Sequence, residues 1–125
     1  RFDTWFFLAI APRQRVQVDH GEICDHRWLS PGDALHAHRA GDLPLFPPTW
    51  VTLHHLKGFQ KARAALADAV RAAPFHYAPK VVQAEAATCF LYAGDDAYGH
   101  LRLDAPGPRH RLWVRGNDWR YEWTP

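Results

Sequence analysis

The chain of 125 residues has no methionine and only two cysteines, Cys24 and Cys89. Neither forms a C-x-x-C pair, so zinc binding and dithiol redox chemistry lack support. Both read as small buried thiols of a reduced, intracellular, cytoplasmic protein. No uninterrupted apolar run approaches the roughly 18 residues of a membrane span, and the N-terminus lacks the basic-then-apolar order of a secretory signal. The net charge is only +2, with the signs interleaved. That balance argues against a nucleic-acid partner and against a polybasic membrane anchor. A Gly-rich phosphate loop, a G-x-S-x-G elbow and an H-E-x-x-H helix are all missing, as are internal repeats and low-complexity tracts. With no Met ahead of "RFDTWFFLAIAP", the chain reads as the later part of something longer.

What is present is a globular composition, 47% hydrophobic and 14% aromatic with six Trp and seven Phe. It suffices for one domain whose packing rests on large rings. Residues 4–11 are continuously apolar, as in a central strand covered on both faces, and Pro12 ends them. A short alternating piece surrounds Val16 and Val18, and Ile23 to Leu29 can pair as a strand. Ser30 as cap, Pro31 at the first helical position and Asp33 in the first turn start a helix. It runs through Ala34, Leu35 and His38 and stops before Gly41. The paired prolines of "LPLFPPTW" exclude regular structure there, so Thr49 is expected to cap the next helix, "WVTLHHLKG", with Gly58 as its terminator.

Phe59, Ala62, Leu66, Val70 and Ala73 recur at helical spacing, which predicts an amphipathic helix over 58–73. Beyond Pro74, residues 81–92 read as one strand ended by a Gly-Asp-Asp turn. "HLRLDAPGPRHRLWVRGNDWRYEW" reads as three short strands, the last two a hairpin about its Gly-Asn-Asp turn. Helices in the middle and strands at both ends predict an α/β or α+β layered fold.

Few residues carry chemistry. "DHGEICDH" gathers Asp19, His20, Glu22, Asp25 and His26, carboxylates and imidazoles of the kind that bind a divalent ion or position a water. Solvated loop acids are the plainer alternative. His36 and His38 project about 200° apart on a helix and neighbouring His54 and His55 also diverge, so structural or exposed histidines are expected rather than a shared ion. Lys61, Arg63, Arg71 and Lys80 face one acid, Asp68, as on a solvated helix face. Arg109, His110, Arg111 and Arg115 read as an edge strand kept soluble by charge, with a phosphate contact as the alternative. Trp113, Trp119, Tyr121 and Trp123 alternate as a buried sheet face does; a base-stacking platform is the other reading.

Three stretches together resemble a known family. "RFDTWFFLA", "GEICDHRWLSPGDAL" and "LPLFPPTWVTLHHL" look like the half of a Nudix hydrolase that follows its metal-binding box. They are nearest the branch of the coenzyme A diphosphatases and their bacterial relatives, whose C-terminal extension "LYAGDDAYG" and "RHRLWVRGNDWRY" also resemble. The box, G-x5-E-x7-R-E-x2-E-E-x-G, is absent from this chain, and Trp5 stands where the family strand usually has Arg. The resemblance implies an α/β fold, a Nudix-type α/β/α sandwich with a mixed sheet. Within a single domain, 1–125, residues 1–57 would be the C-terminal part of that core, and 58–125 a helix and antiparallel strands packed on it.

It further implies a hydrolase that cleaves the diphosphate linkage of a small-molecule nucleoside diphosphate derivative, coenzyme A or a related compound among them. Mg²⁺ or Mn²⁺ would neutralise the diphosphate and activate a water. Glu22 alone takes over the family's role of extra metal ligand or general base; a turn-capping carboxylate is its alternative. Lacking the box, the chain by itself is expected to be inactive. A homodimer fits the family, and the aromatic C-terminal sheet offers such an interface. One rival is a non-catalytic Nudix-like ligand-binding or regulatory module that lost the metal helix. Another is a small His/Asp/Glu metalloprotein built on "DHGEICDH".

Overall fold

A computed structural model describes residues 3–12, 16–18, 21 and 25–125 of the chain. The first helix, α1, spans Pro31–Ala40 and is delimited by its own sequence. The Ser30 hydroxyl accepts from the Asp33 N–H at 3.1 Å and donates to the Asp33 carboxylate at 2.7 Å. Pro31 follows in the first turn, where its missing N–H is not needed. At the other end Gly41 sits at φ 89°, a left-handed conformation that glycine adopts without strain, and the Asp42 N–H reaches back to Ala37 O at 2.9 Å. Start, course and end all agree with the expectation.

The second helix, α2, spans Pro47–Leu56 and begins two residues before the expected cap, Thr49. The prolines do not break it because they occupy the first turn, where the N–H groups have no intrahelical acceptor to lose. Thr49 therefore lies inside the helix, and Phe46 at the N-cap gives no side-chain hydrogen bond. The third helix, α3, spans Ala62–Arg71, shorter than the expected 58–73. Its one buried residue is Ala65, while Val70 stays 78% exposed. Too little packs on the ends of this apolar stripe to hold further turns.

The described strands form one antiparallel meander, β1 (Lys80–Ala84), β2 (Ala87–Leu91), β3 (Arg109–Arg115) and β4 (Asp118–Thr124), in the order β1-β2-β3-β4. Residues 81–92 are thus not a single strand. They fold back at Glu85 and Ala86, placing Ala84 opposite Ala87. One straight strand of that length would outrun seven-residue β3 and leave half its N–H and C=O groups unpaired. Of the three strands expected after His100 only the final pair forms, closed at Gly116 and Asn117 with Arg115 opposite Asp118. Ahead of it stand a short 3₁₀ turn, Asp96–Tyr98, and irregular chain.

Strand alternation divides the core between the two faces of this sheet. One face carries Tyr92 and Leu112 against Trp50 and Val51 of α2, with Leu35, Phe90, Val114 and Trp119 around them. The opposite face carries Cys89 and Leu91, both fully buried, under Ala97, Tyr98 and Leu103 of the irregular segment. Trp119 and Tyr121 bear out the expected buried ring face, whereas Trp113 lies on the opposite side and Trp123 is 65% exposed.

Two N-terminal expectations are corrected. Residues 4–11 are not a covered central strand: they join no ladder, and Trp5 and Phe7 are 74% and 86% exposed. An apolar strand persists only where a neighbour takes its N–H and C=O groups, and every strand of the described sheet comes from residues 80–124. For the same reason Asp25 to Leu29 form no strand; Ile23 and Cys24 lie outside the described residues. The coarse class, helices combined with a sheet, is as expected. No described helix is long and apolar enough to cross a membrane.

Candidate binding cleft

The site predicted from sequence is only partly visible. Glu22, with Asp19 and His20, lies outside the described residues. Asp25 and His26 are exposed, and Asp25 is occupied locally by the His26 N–H at 2.7 Å and the Arg27 guanidinium at 3.8 Å. Among the described residues no group of three or more His, Cys, Asp or Glu could hold a metal ion.

The basic cluster of residues 109–115 is not an edge. β3 is an inner strand, and Arg111 is 1% exposed. Its guanidinium meets Asp95 in two hydrogen bonds, Nη2 to Oδ1 at 2.6 Å and Nε to Oδ2 at 2.7 Å, while Nη1 donates to Leu103 O at 3.1 Å. Asp95 also accepts from the backbone N–H of Ala97 and of His110, each at 2.8 Å. Burial alone would raise the Asp95 carboxyl, but the Arg111 hydrogen bonds and the two N–H donors outweigh it and hold the group below the ordinary carboxylate value. Such a pair is tolerated inside because nearly every lone pair and N–H has a partner.

On the opposite face of β3 a cleft of about 510 Å³ opens between the end of α2, the connection at Phe75 and Tyr77, and β3–β4. Its walls are rings. The Phe75 and Tyr77 centroids lie 4.5 Å apart, Phe75 and His110 5.2 Å, and His55 and Tyr121 5.2 Å. His110 Nδ1 donates to Ala93 O at 2.7 Å. Because that carbonyl only accepts, Nδ1 carries a proton and is the donor in this contact. Tyr77 Oη and His55 Nε2 share a hydrogen bond of 2.9 Å.

The Tyr121 hydroxyl is buried, with the Tyr77 hydroxyl as its interacting neighbour. Partial burial and then His110 push the His55 pKa down, so the ring is neutral at pH 7. Burial pushes Tyr92 and Tyr121 up, with Tyr77 adding to both. Among the described residues the lining has no Asp, Glu, Lys or Arg side chain. The cleft can hold and orient a ligand.

His54 points away from this cleft, stacked on Trp50 at 5.1 Å and lining a smaller hollow of about 350 Å³ on the other side of Tyr121. Burial first, then Lys57 and His55, lower its pKa to about 4. The expected divergence of His54 and His55 is thus present, with one ring serving each hollow. His38 is a structural histidine, its Nδ1 3.1 Å from Leu43 O and its ring edge-on to Trp119. Sequence reading missed the grouping of His55, Tyr77, His110 and Tyr121, since they come from α2, the connection before β1, β3 and β4. The alternating aromatics of β4 were its one visible trace. No family model matches the chain, and no solved structure matches it at a significant level.

Proposed function

We propose that the chain is the C-terminal part of a Nudix-type hydrolase, a metal-dependent diphosphatase acting on a nucleoside diphosphate derivative, coenzyme A derivatives among them. The observation that carries the reading is where its two more specific motifs, Glu-to-Trp-Leu-Ser-Pro and Pro-Pro-Thr, lead: the Ser-Pro end of the first, and the second, sit at the starts of the paired helices α1 and α2. A second support is the exposed apolar run from Trp5 to Ile10. The resemblance gives such a run a covering sheet, which it lacks among the described residues. On this reading a bound Mg²⁺ or Mn²⁺ would supply the charge that neutralises a diphosphate and lowers the pKa of a water. Glu22 is this chain's contribution to that centre, the described residues serve substrate binding, and the protein pairs as a homodimer.

The test is turnover. The natural protein containing this chain, given Mg²⁺ or Mn²⁺ and a panel of nucleoside diphosphate derivatives, should release a nucleotide product, and the isolated 125 residues should release none. Turnover by the isolated chain, or none by the natural protein, would sink the reading. A second reading, a non-catalytic Nudix-like binding module, is favoured by one observation: the cleft is walled by neutral rings and hydroxyls, with no carboxylate to direct a water. Saturable ligand binding without turnover in the natural protein would select it.

A further inference from the structure

We propose that the cleft bounded by Phe75, Tyr77, Tyr121 and Trp123 holds a quaternary ammonium group. Most polar side-chain atoms of the wall are already engaged with one another or with the backbone. The Tyr121 hydroxyl has the Tyr77 hydroxyl as its neighbour, and Tyr77 Oη shares a hydrogen bond with His55 Nε2 at 2.9 Å. His110 Nδ1 donates to Ala93 O at 2.7 Å, and Thr124 Oγ1 accepts from the Arg109 N–H at 2.9 Å. A guest therefore meets chiefly ring faces and edges. The volume, about 510 Å³, falls among small-ligand sites. Trp123 forms the open side. It stands opposite His110 across the hairpin, on the same face as Tyr121, and is exposed. It stacks on no other ring among the described residues, so its own face is available to a guest.

Charge decides between guests. Aromatic faces carry the negative part of the ring quadrupole and attract a cation within about 6 Å of the centroid, Trp most strongly. The lining has no Lys or Arg side chain to repel such a cation, and partial burial, then His110, keep the His55 ring neutral at pH 7. A phosphate or carboxylate would find no cationic side chain there. A primary ammonium brings three N–H donors and would meet no carboxylate in exchange for its water. A quaternary ammonium has no N–H to satisfy, and its charge is spread over methyl groups that pack on rings as any apolar group does. A wholly apolar guest would gain the same packing and leave the ring quadrupoles unused.

The proposal goes beyond the hydrolysis reading and does not rest on it, because the probes carry no phosphate and the readout is binding. Choline titrated into the full chain at about pH 8, where an ordinary imidazole is uncharged, should shift the Gly94 amide and Trp123 indole N–H signals in a saturable way. The carbon isostere of choline, in which a tert-butyl group replaces the trimethylammonium, keeps the shape and loses the charge. It should bind about fivefold more weakly or worse. Trp123→Leu, at an exposed rim position, keeps an apolar side chain but no ring face and should bring choline down to the affinity of the isostere. Trp123→Phe should restore most of the difference, and Val70→Ala, on the exposed face of α3, should leave choline unchanged. A short peptide carrying trimethyllysine that binds more tightly than choline would assign the group to a methylated protein side chain, and the reverse order to a free small molecule. The proposal is overturned by any of three results: no saturation by choline in the millimolar range, an isostere that binds as tightly as choline, or full choline affinity in Trp123→Leu.

Discussion

Removing the Asp95 carboxylate tests the packing argument most directly. Asp95→Ala strands the Arg111 guanidinium, whose side chain is 2% exposed, and frees the N–H groups of His110 and Ala97 at the same time. Breaking one side of a buried ion pair costs about 3–5 kcal/mol, and each buried N–H left without an acceptor costs about 1–3 kcal/mol. These terms overlap, because the same local relaxation relieves both. A loss of about 4 kcal/mol is therefore expected, a large share of the roughly 5–15 kcal/mol that holds a domain together. In urea, followed by tryptophan fluorescence, the midpoint should fall by about 2 M for a slope of about 2 kcal/mol/M.

The acid limb gives an independent reading of the same group. The folded carboxyl lies below its ordinary 3.8, so its contribution is fully present above that value and is lost as the pH falls through the lower, folded one. Wild type should show this loss in strong acid, and Asp95→Ala should lack it. A cost under about 1 kcal/mol, or an unchanged acid limb, would mean that Arg111 finds water or another acceptor and that the buried pair is not what fixes the segment after β2.

The remaining expectations are local. Gly41→Ala puts a side chain on a residue at φ 89° and should cost about 1–2 kcal/mol, read as a drop in thermal midpoint; no change would mean that α1 ends elsewhere in solution. Burial raises the Cys89 thiol to about 11, so the peptide containing Cys89 should escape iodoacetamide at pH 8 until denaturant is added. Labelling of the native chain would contradict its burial. His54, lowered to about 4 from 6.5 mainly by burial, resists charging in the fold. Its contribution to stability is present above pH 6.5 and drains away as the pH falls toward about 4. His54→Gln should flatten that part of the stability profile, and an unaltered profile would place the ring in solvent.

The two ends of α1 were legible in the sequence because their signals are local. Ser30, Pro31, Asp33 and Gly41 act within one turn of their own backbone, and α1 begins and ends where they say. The prolines of α2 misled because their effect depends on position: forbidden inside a helix, they are welcome in its first turn. Strand assignments needed partners, which a sequence does not display. The apolar run at 4–11 looks more like a strand than β1 does, yet β1 has β2 to pair with. Arg111 was misread for the same reason, since only the fold reveals that Asp95, sixteen residues earlier, reaches it from the far side of a turn. The cleft was least legible, because α2, the connection at Tyr77 and the β3–β4 hairpin lie far apart in sequence and rings that pack as core look the same on paper as rings that line a hollow.

Strand alternation puts Arg111 and His110 on opposite faces of β3, yet one carboxylate holds both. Asp95 Oδ2 accepts from the Arg111 side chain at 2.7 Å and from the His110 backbone at 2.8 Å. The turn from Tyr92 to Asp95 is thereby pinned to β3, and it delivers the Ala93 carbonyl to His110 Nδ1. A buried ion pair adds little stability over an apolar filling of equal volume, so stability is a poor reason for this one. Leucine and methionine in its place would fill the space between Leu103 and β3 but would leave that carbonyl held by the backbone bonds of the turn alone, Tyr92 N–H to His110 O and Asp96 N–H to Pro108 O. The imidazole would then be less closely held by its Nδ1–H. The ion pair under one face of the sheet reinforces the hydrogen bond that orients His110 in the cleft on the other.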